Sequence, residues 1–306
     1  MKIQVEKTGQ FIGHRDCVYA ISPAAEPDYF FSAGGDGLVV KWHISNPEQG
    51  ELIARANASV YALCFMKADN QLLIGENFEG LHWLDLATKT EKKVLLLDKN
   101  SIFDIQVHGE AIFVGSGNGT LFVVDKNTFS ITNQVQLSQK SLRCLAINPL
   151  SQEIAAGYSD HFIRIFDLKT QALKYAFEAH TNSVFTLQYS PDLRFLVSGS
   201  RDARIHAWHT ADYSLHTSVA AHLFAINHLT YSPDARFFAT ASMDKSIKIW
   251  DSENFRLLKV IDKARHAGHG TSINKLLWTN VKDTIIAGSD DKTLSAWQLT
   301  FSGEML

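Results

Sequence analysis

Residues 222–251, HLFAINHLTYSPDARFFATASMDKSIKIWD, decide the fold. After His222, the apolar residues Ile226, Leu229 and Tyr231 open a strand at relative positions 0, +3 and +5. Ser232-Pro233-Asp234 suits a type I turn, because proline fixes φ at the second turn position. The chain then runs through a buried strand to Thr240, turns tightly at Asp244 and continues as Ser246-Ile247-Lys248-Ile249-Trp250. Beyond Trp250, Leu257–Ile261 form a weaker, more polar fourth strand. Four short strands separated by turn signals describe one antiparallel sheet.

The same pattern recurs in both directions at a spacing of 42 residues, as from Asp160 to Asp202 to Asp244. In register, the turn position is Asp36, Phe78, Asn118, Asp160, Asp202, Asp244 and Asp291. Six residues on, a large apolar residue follows: Trp42, Leu84, Val124, Phe166, Trp208, Trp250 and Trp297. Repeats of this period are stacked units that cannot bury their own apolar faces and complete a core only with their neighbours. A second landmark fixes the register. His14, His180, His222 and His269 each stand 22 residues before a turn aspartate, and glycine precedes the first and last. Four residues before those aspartates stand Ser32, Ser198, Thr240 and Ala287.

With Gly13-His14, Gly268-His269 and the literal Trp250-Asp251 pair, the chain resembles the WD-repeat family of β-propellers, over roughly residues 11 to 299. The strand count and the resemblance together predict an all-β, seven-bladed propeller of four-stranded antiparallel blades, forming a single domain over residues 1–306. The final repeat reaches Leu299 with only three strands. Ile3–Lys7 alternate suitably, and the N-terminal segment is expected to close the last blade, because a free end would expose a sheet edge.

A histidine, a hydroxyl and an aspartate at fixed spacing invite a catalytic reading. Their recurrence argues for a structural clasp instead: His bridges carboxylate and hydroxyl, and the hydroxyl accepts from the tryptophan indole. The expected sets are His14, Ser32, Asp36, Trp42; His180, Ser198, Asp202, Trp208; His222, Thr240, Asp244, Trp250; and the hydroxyl-free His269, Asp291, Trp297. Each bond to a charged group is worth about 1.5–3 kcal/mol. Repeats two to four carry Ala56, Asp98 and Ser138 at the histidine place and cannot form the full set. In repeat two, Trp83 beside Leu84 raises the alternative of a one-residue slip, and Leu84 is preferred because Asp85-Leu86 then aligns with Asp167-Leu168.

Composition is that of an ordinary globular protein, with 45% hydrophobic and 20% charged residues. A net charge of −3 provides no broad basic surface for nucleic acid. Cys17, Cys64 and Cys144 have no metal spacing and read as free thiols near inner strands. No apolar run is long enough for a signal peptide or a membrane span, which leaves the cytoplasm as the expected compartment. No cofactor is expected. His266-x-x-His269 hints at a metal but lacks further ligands, so no metal site is expected. His206, His209 and His216 read as surface residues. Gly115-Ser116-Gly117-Asn118-Gly119 falls in a strand turn with no helix behind it and fails as a phosphate loop.

The functional signal follows the apolar residue that opens each inner strand: Tyr19, Tyr61, Phe103, Arg143, Phe185, Asn227 and Asn274. The resemblance places this position around the mouth of a central channel, where peptides dock. Aromatics and arginine are enriched in binding hot spots. The small residues Cys17, Ser59, Ser101, Ser141, Ser183, Ala225 and Ser272, two positions earlier, would line the same mouth. Asn77, Arg201, Met243 and Asp290, just before the turn position, have reach on that face, and Arg201 could join Arg143 on an anionic group. The longer loop between the sixth and seventh repeats adds Lys263 and Arg265 for an acidic partner. These residues point to a non-catalytic, multivalent platform, a monomeric ring that binds protein or peptide partners within a larger complex. Two alternatives are an RNA-binding or ribonucleoprotein assembly factor, with aromatics stacking on bases, and a channel enzyme, disfavoured because the mouth lacks carboxylate and histidine clusters.

Overall fold

In the computed structural model, which describes residues 2–303, seven four-stranded antiparallel sheets succeed one another around a ring. Each sheet begins at the centre with one of the inner strands Val18–Pro23, Val60–Met66, Ile102–His108, Leu142–Asn148, Val184–Tyr189, Ile226–Tyr231 and Ile273–Thr279. Successive inner strands touch, and the last touches the first. Six sheets use consecutive strands; the seventh takes Lys2–Ile12 as its outer strand, against Thr293–Ser302. The N-terminal closure expected from Ile3–Lys7 is therefore present and longer than read, with Ile3 opposite Phe301 and Phe11 opposite Leu294.

The second strand of each blade is an apolar run because it is covered on both faces. Gln71–Glu76, Phe195–Ser200 and Thr284–Ser289 are buried at every position. Outer strands such as Leu173–Glu178 are largely exposed. Side-chain alternation sends one face of a blade to each neighbour. Trp208 packs with Ala155, Ile163 and Ile165 of the preceding blade, while Ala207 packs with Ile226 and Leu229 of the following one. This rule resolves the second repeat. Leu72 pairs with Leu84 as Leu196 pairs with Trp208, and Leu84 packs toward the first blade while Trp83 packs toward the third. A one-residue slip would have exchanged the two faces.

Blades approach closely at one glycine in the second strand. A Cβ on Gly199 would lie 2.8 Å from Ile226, and one on Gly288 would lie 2.7 Å from Val18 across the closing seam. The apolar residue opening each of these inner strands thus nests on bare backbone of the blade before it. The turns obey a common geometry as well. Asp202 Oδ1 accepts the Arg204 N–H at 3.0 Å and Asp244 Oδ1 the Ser246 N–H at 3.0 Å, with Ala203 and Lys245 between them at φ of 65° and 70°. The second blade departs: exposed Phe78 itself takes φ 68°.

Candidate binding site at the channel mouth

The ring expected at the mouth has a local cause. Each inner strand carries a register shift between Val18 and Ala20, Val60 and Ala62, Ile102 and Asp104, Leu142 and Cys144, Val184 and Thr186, Ile226 and His228, or Ile273 and Lys275. The residue left over is Tyr19, Tyr61, Phe103, Arg143, Phe185, Asn227 or Asn274 in turn. A bulge residue is released from the ladder and re-aimed, and all seven line a central channel of about 890 Å3. Every one is partly buried.

Five of them form a continuous arc. Tyr19 meets Tyr61 edge-on at 4.7 Å between ring centroids, and Tyr61 stacks on Phe103 at 5.6 Å with 8° between planes. The Arg143 guanidinium carbon lies 3.8 Å from the Phe103 centroid and 4.9 Å from that of Phe185. Enclosure among these rings lowers the Arg143 pKa from its usual value. The other side of the mouth is tied down: Asn227 donates to Ser272 Oγ and Ile273 O, and Asn274 to Val18 O and Asp290 Oδ1, all at 2.8–3.0 Å. The rings pack on each other and keep an open edge to the channel.

One residue deeper, side chains bridge neighbouring inner edges. Leu145 N–H donates to Asp104 Oδ2 at 2.8 Å, Leu229 N–H to Thr186 Oγ1 at 3.2 Å and Leu276 N–H to His228 Nδ1 at 3.2 Å. Burial raises the Asp104 pKa and holds His228 well below the ordinary histidine value. Sequence reasoning missed this layer, although a polar residue right after several of the mouth residues was a legible signal. The small residues two places before the mouth share one backbone contact, and the Ser59 and Ser141 hydroxyls also donate to Gly35 O and Gly117 O. The carbonyls of Cys17, Ser59, Ser101, Ser141, Ser183, Ala225 and Ser272 accept N–H groups from Gly35, Asn77, Gly117, Ser159, Arg201, Met243 and Asp290. Among the residues read as having reach, Arg201 and Met243 are exposed, but Asn77 is buried with its Oδ1 on the Ile102 N–H. Asn77 therefore belongs to the scaffold.

The clasps form as the spacing implies. His14, His180 and His222 place Nδ1 at 3.1, 3.0 and 2.8 Å from Asp36, Asp202 and Asp244. Their Nε2 atoms lie 2.7, 2.8 and 2.7 Å from Ser32, Ser198 and Thr240. Those hydroxyl oxygens accept the indole N–H of Trp42, Trp208 and Trp250 at 2.8, 3.0 and 2.9 Å. A neutral histidine with its proton on Nδ1 satisfies every group, and burial lowers the His222 pKa accordingly. Burial alone would raise Asp202 and Asp244, but hydrogen bonds from the histidines and loop amides bring both below the usual carboxylate range. His206 corrects the surface reading. It stacks on His180 at 4.1 Å, its Nδ1–H donates to Ala179 O, and burial brings its pKa down to about 4.

Blades lacking the histidine rebuild the clasp from other residues. In the second, buried Glu76 accepts the Asn57 and Ala58 amides. In the third, Asp98 at the histidine place accepts from Ser116 Oγ at 2.7 Å. In the fourth, Arg164 donates twice to Asp160. The seventh keeps His269 on Asp291 at 2.8 Å, but His269 Nε2 is buried with no protein partner, since Ala287 supplies no hydroxyl. The Trp297 indole turns to His266 O at 2.9 Å. The long sixth-to-seventh loop supplies that carbonyl from a helical turn, Lys263–His266, capped by Asp262. Arg265 is paired with Asp262, Lys263 is exposed, and Lys7 of the N-terminal strand donates to Ala267 O. Among the described residues no group of three His, Cys, Asp or Glu side chains is arranged to hold a metal.

Repeated clasps and bulges of one design point to one family, and a family model agrees. The WD40 model (WD domain, G-beta repeat) matches residues 5–43, 132–167, 171–209, 213–251 and 262–298, more than half of the chain. The chain belongs to the WD40 family. The longest stretch outside the matches, 44–131, holds the second blade and most of the third, where the clasp is rebuilt from Glu76 and Asp98. Among WD40 relatives, the chain is 25% identical over 195 residues to WD repeat-containing protein 81 of Danio rerio, covering 58% of this chain and 9% of that protein. It is 21% identical over 191 residues to Actin-interacting protein 1-2 of Arabidopsis thaliana, covering 60% and 30%. The chain thus matches less than a third of the length of either relative. The crystal structure of the WD40 beta propeller domain of Doa1 superimposes with a TM-score of 0.85 at 17% identity, covering 96% of this chain and 97% of that one. That likeness establishes the fold. No helix among the described residues is long and apolar enough to cross a membrane.

Proposed function

We propose that this WD40 propeller is a non-catalytic scaffold that seats an extended segment of a protein partner at the channel mouth, on the face of the Asp turns. The observation that carries this reading is the arc Tyr19–Tyr61–Phe103–Arg143–Phe185, five hot-spot side chains released by bulges to one opening. Pre-packed rings lose little conformational entropy when a ligand covers them. The turns of the same face, with Arg201, Met243 and the exposed Lys263, offer secondary contacts, so that one ring can hold several parts of a complex. Three free thiols suit a reducing compartment such as the cytoplasm.

Affinity purification from the native cell tests the reading, comparing wild type with a Tyr19→Ala, Phe185→Ala double variant that retains cooperative melting. Partners recovered with wild type and lost with the variant support the mouth. Partners that persist place binding on the rims or at 262–268. A steep loss of captured material with rising salt, carrying RNA, would instead favour a nucleic-acid ligand.

A further inference from the structure

Arg143 stands apart among the arginines. Of those sheltered from bulk solvent among the described residues, Arg164 donates to Asp160 and Arg204 to Ser218, whereas Arg143 has no acceptor within hydrogen-bond distance. Phe103 and Phe185 cover its guanidinium, so what remains for a ligand is the in-plane edge with its N–H groups. A sheltered cation with unpaired N–H groups is costly, and a planar fork of that shape matches a carboxylate bidentately. Lys275 lines the same channel and also lacks an acceptor. The anions on this wall are already engaged, Asp104 by the Leu145 and Ile105 amides and Asp290 by Asn274. An incoming singly charged group therefore meets two cations with free donors, beside Asp104, whose charge faces Lys275, and Asp290, which accepts from Asn274.

We propose that the mouth recognises an acidic residue, an aspartate or glutamate side chain on an extended peptide of the partner, through an in-plane ion pair with Arg143. This rests on the reading of the mouth as a peptide site. Tyr19, Tyr61 and Phe103 would then cover the apolar neighbours of the acidic residue, and Lys275 would add long-range attraction from below.

The test starts with a displayed library of random nine-residue peptides, selected on the full chain and screened for binders lost in the Tyr19→Ala, Phe185→Ala variant. Those binders should share an acidic residue at one position. In a synthetic copy, changing that residue to its amide should weaken wild-type binding about 10-fold or more, as expected for a hydrogen-bonded ion pair. The same change should cost no more than about twofold on Arg143→Met, the coupling read as a double-mutant cycle. Arg143→Lys, which keeps the charge and loses the fork, should retain part of the effect and serves if Arg143→Met does not fold. Mouth-dependent binders with no acidic position, or an amide penalty equal on wild type and variants, overturn the proposal while leaving the peptide site standing. Tighter binding of a phosphoserine version than of the acidic one also overturns it, in favour of a phosphorylated partner. If no mouth-dependent binder emerges, the peptide-site reading falls first and this one with it.

Discussion

Replacing Ala287 with serine should stabilise the protein, because the seventh blade already contains every other part of the clasp. His269 is on Asp291 at 2.8 Å, and Ala287 is fully buried where blades one and five carry Ser32 and Ser198. A buried acceptor left unmet, as His269 Nε2 is, costs about 1–3 kcal/mol, and a new hydroxyl bond contributes about 0.5–1.5 kcal/mol net. The Trp297 indole keeps its bond to His266 O, so the added hydroxyl need serve only one partner. A net gain of about 1–2 kcal/mol follows, which for a chain of this length raises the melting temperature by roughly 2–4 °C. The mirror experiment is Ser198→Ala, which strands both His180 Nε2 and Trp208 Nε1 and should cost about 2–4 kcal/mol. Scanning calorimetry at pH 7.5 on the two variants decides the matter. If Ser198→Ala destabilises as expected while Ala287→Ser leaves the midpoint unchanged or lower, then His269 Nε2 is not an unmet group in solution and the reasoning fails.

Deleting residues 1–8 removes the part of the outer strand that pairs with Trp297–Ser302, the buried Ile3 and the Lys7 contact to Ala267. It should lower the melting temperature by about 10 °C or more through lost burial and an opened sheet edge, and an unchanged melting curve would remove the N-terminal strand as a closure. Acid should also weaken the fold in a defined window. His206, His222, His228 and the less buried His266 have lowered pKa values, so the unfolded chain takes up protons near pH 6.5 that the folded chain refuses. Their contribution is complete above about pH 6.5 and is lost as pH falls toward the folded values, at about 1.4 kcal/mol per pH unit for each histidine. Asp202 and Asp244, held low, keep their contribution until pH falls below about 4. Urea midpoints between pH 7.5 and 5 should show the first slope, and His228→Gln should reduce it by about a third; a flat profile would contradict the assignment.

The architecture was legible because its turns are chemically demanding. An aspartate that must accept turn amides and a histidine at once leaves few alternatives at Asp36, Asp202, Asp244 and Asp291. The positions of the mouth residues came from the family resemblance, and the bulge that explains them, recurring right after the apolar opener, appears only in the structure. What could not be read was any group whose role is taken from elsewhere in the chain. Glu76 supplies a carboxylate two positions before the expected turn residue Phe78, Asp98 supplies one from the histidine place, and Arg164 answers Asp160 from the next strand. Each solves the same hydrogen-bonding problem from a different sequence position, so fixed-interval reasoning sees only a departure. The 262–268 loop has a scaffold role that its length did not reveal: its His266 carbonyl and Asp262 cap satisfy an indole and a helical turn.

The rebuilt clasps and the aromatic arc fall on overlapping parts of the ring. Blades two, three and four, which dispense with the histidine, contribute Tyr61, Phe103 and Arg143. Blades six and seven, which keep it, contribute Asn227 and Asn274, whose side chains spend their donors on the scaffold. A histidine clasp fixes the loop entering an inner strand in one geometry, because the aspartate takes the loop amide and the imidazole together, as Asp244 does with Leu223 N–H and His222. Where other residues take over, the face can vary from blade to blade, and it does: Phe78 projects into solvent from a left-handed turn of the second blade. The division of labour follows from the closed ring itself. Closure demands that every blade hold its neighbours, which the buried second strands and the bare glycine backbone already accomplish, so a few clasps can change their chemistry without opening the ring. Rings are not confined to the rebuilt blades, since Tyr19 and Phe185 come from blades one and five with complete histidine clasps, so the clasp and the mouth residue vary independently around the ring, while the asparagines tie down the remaining side.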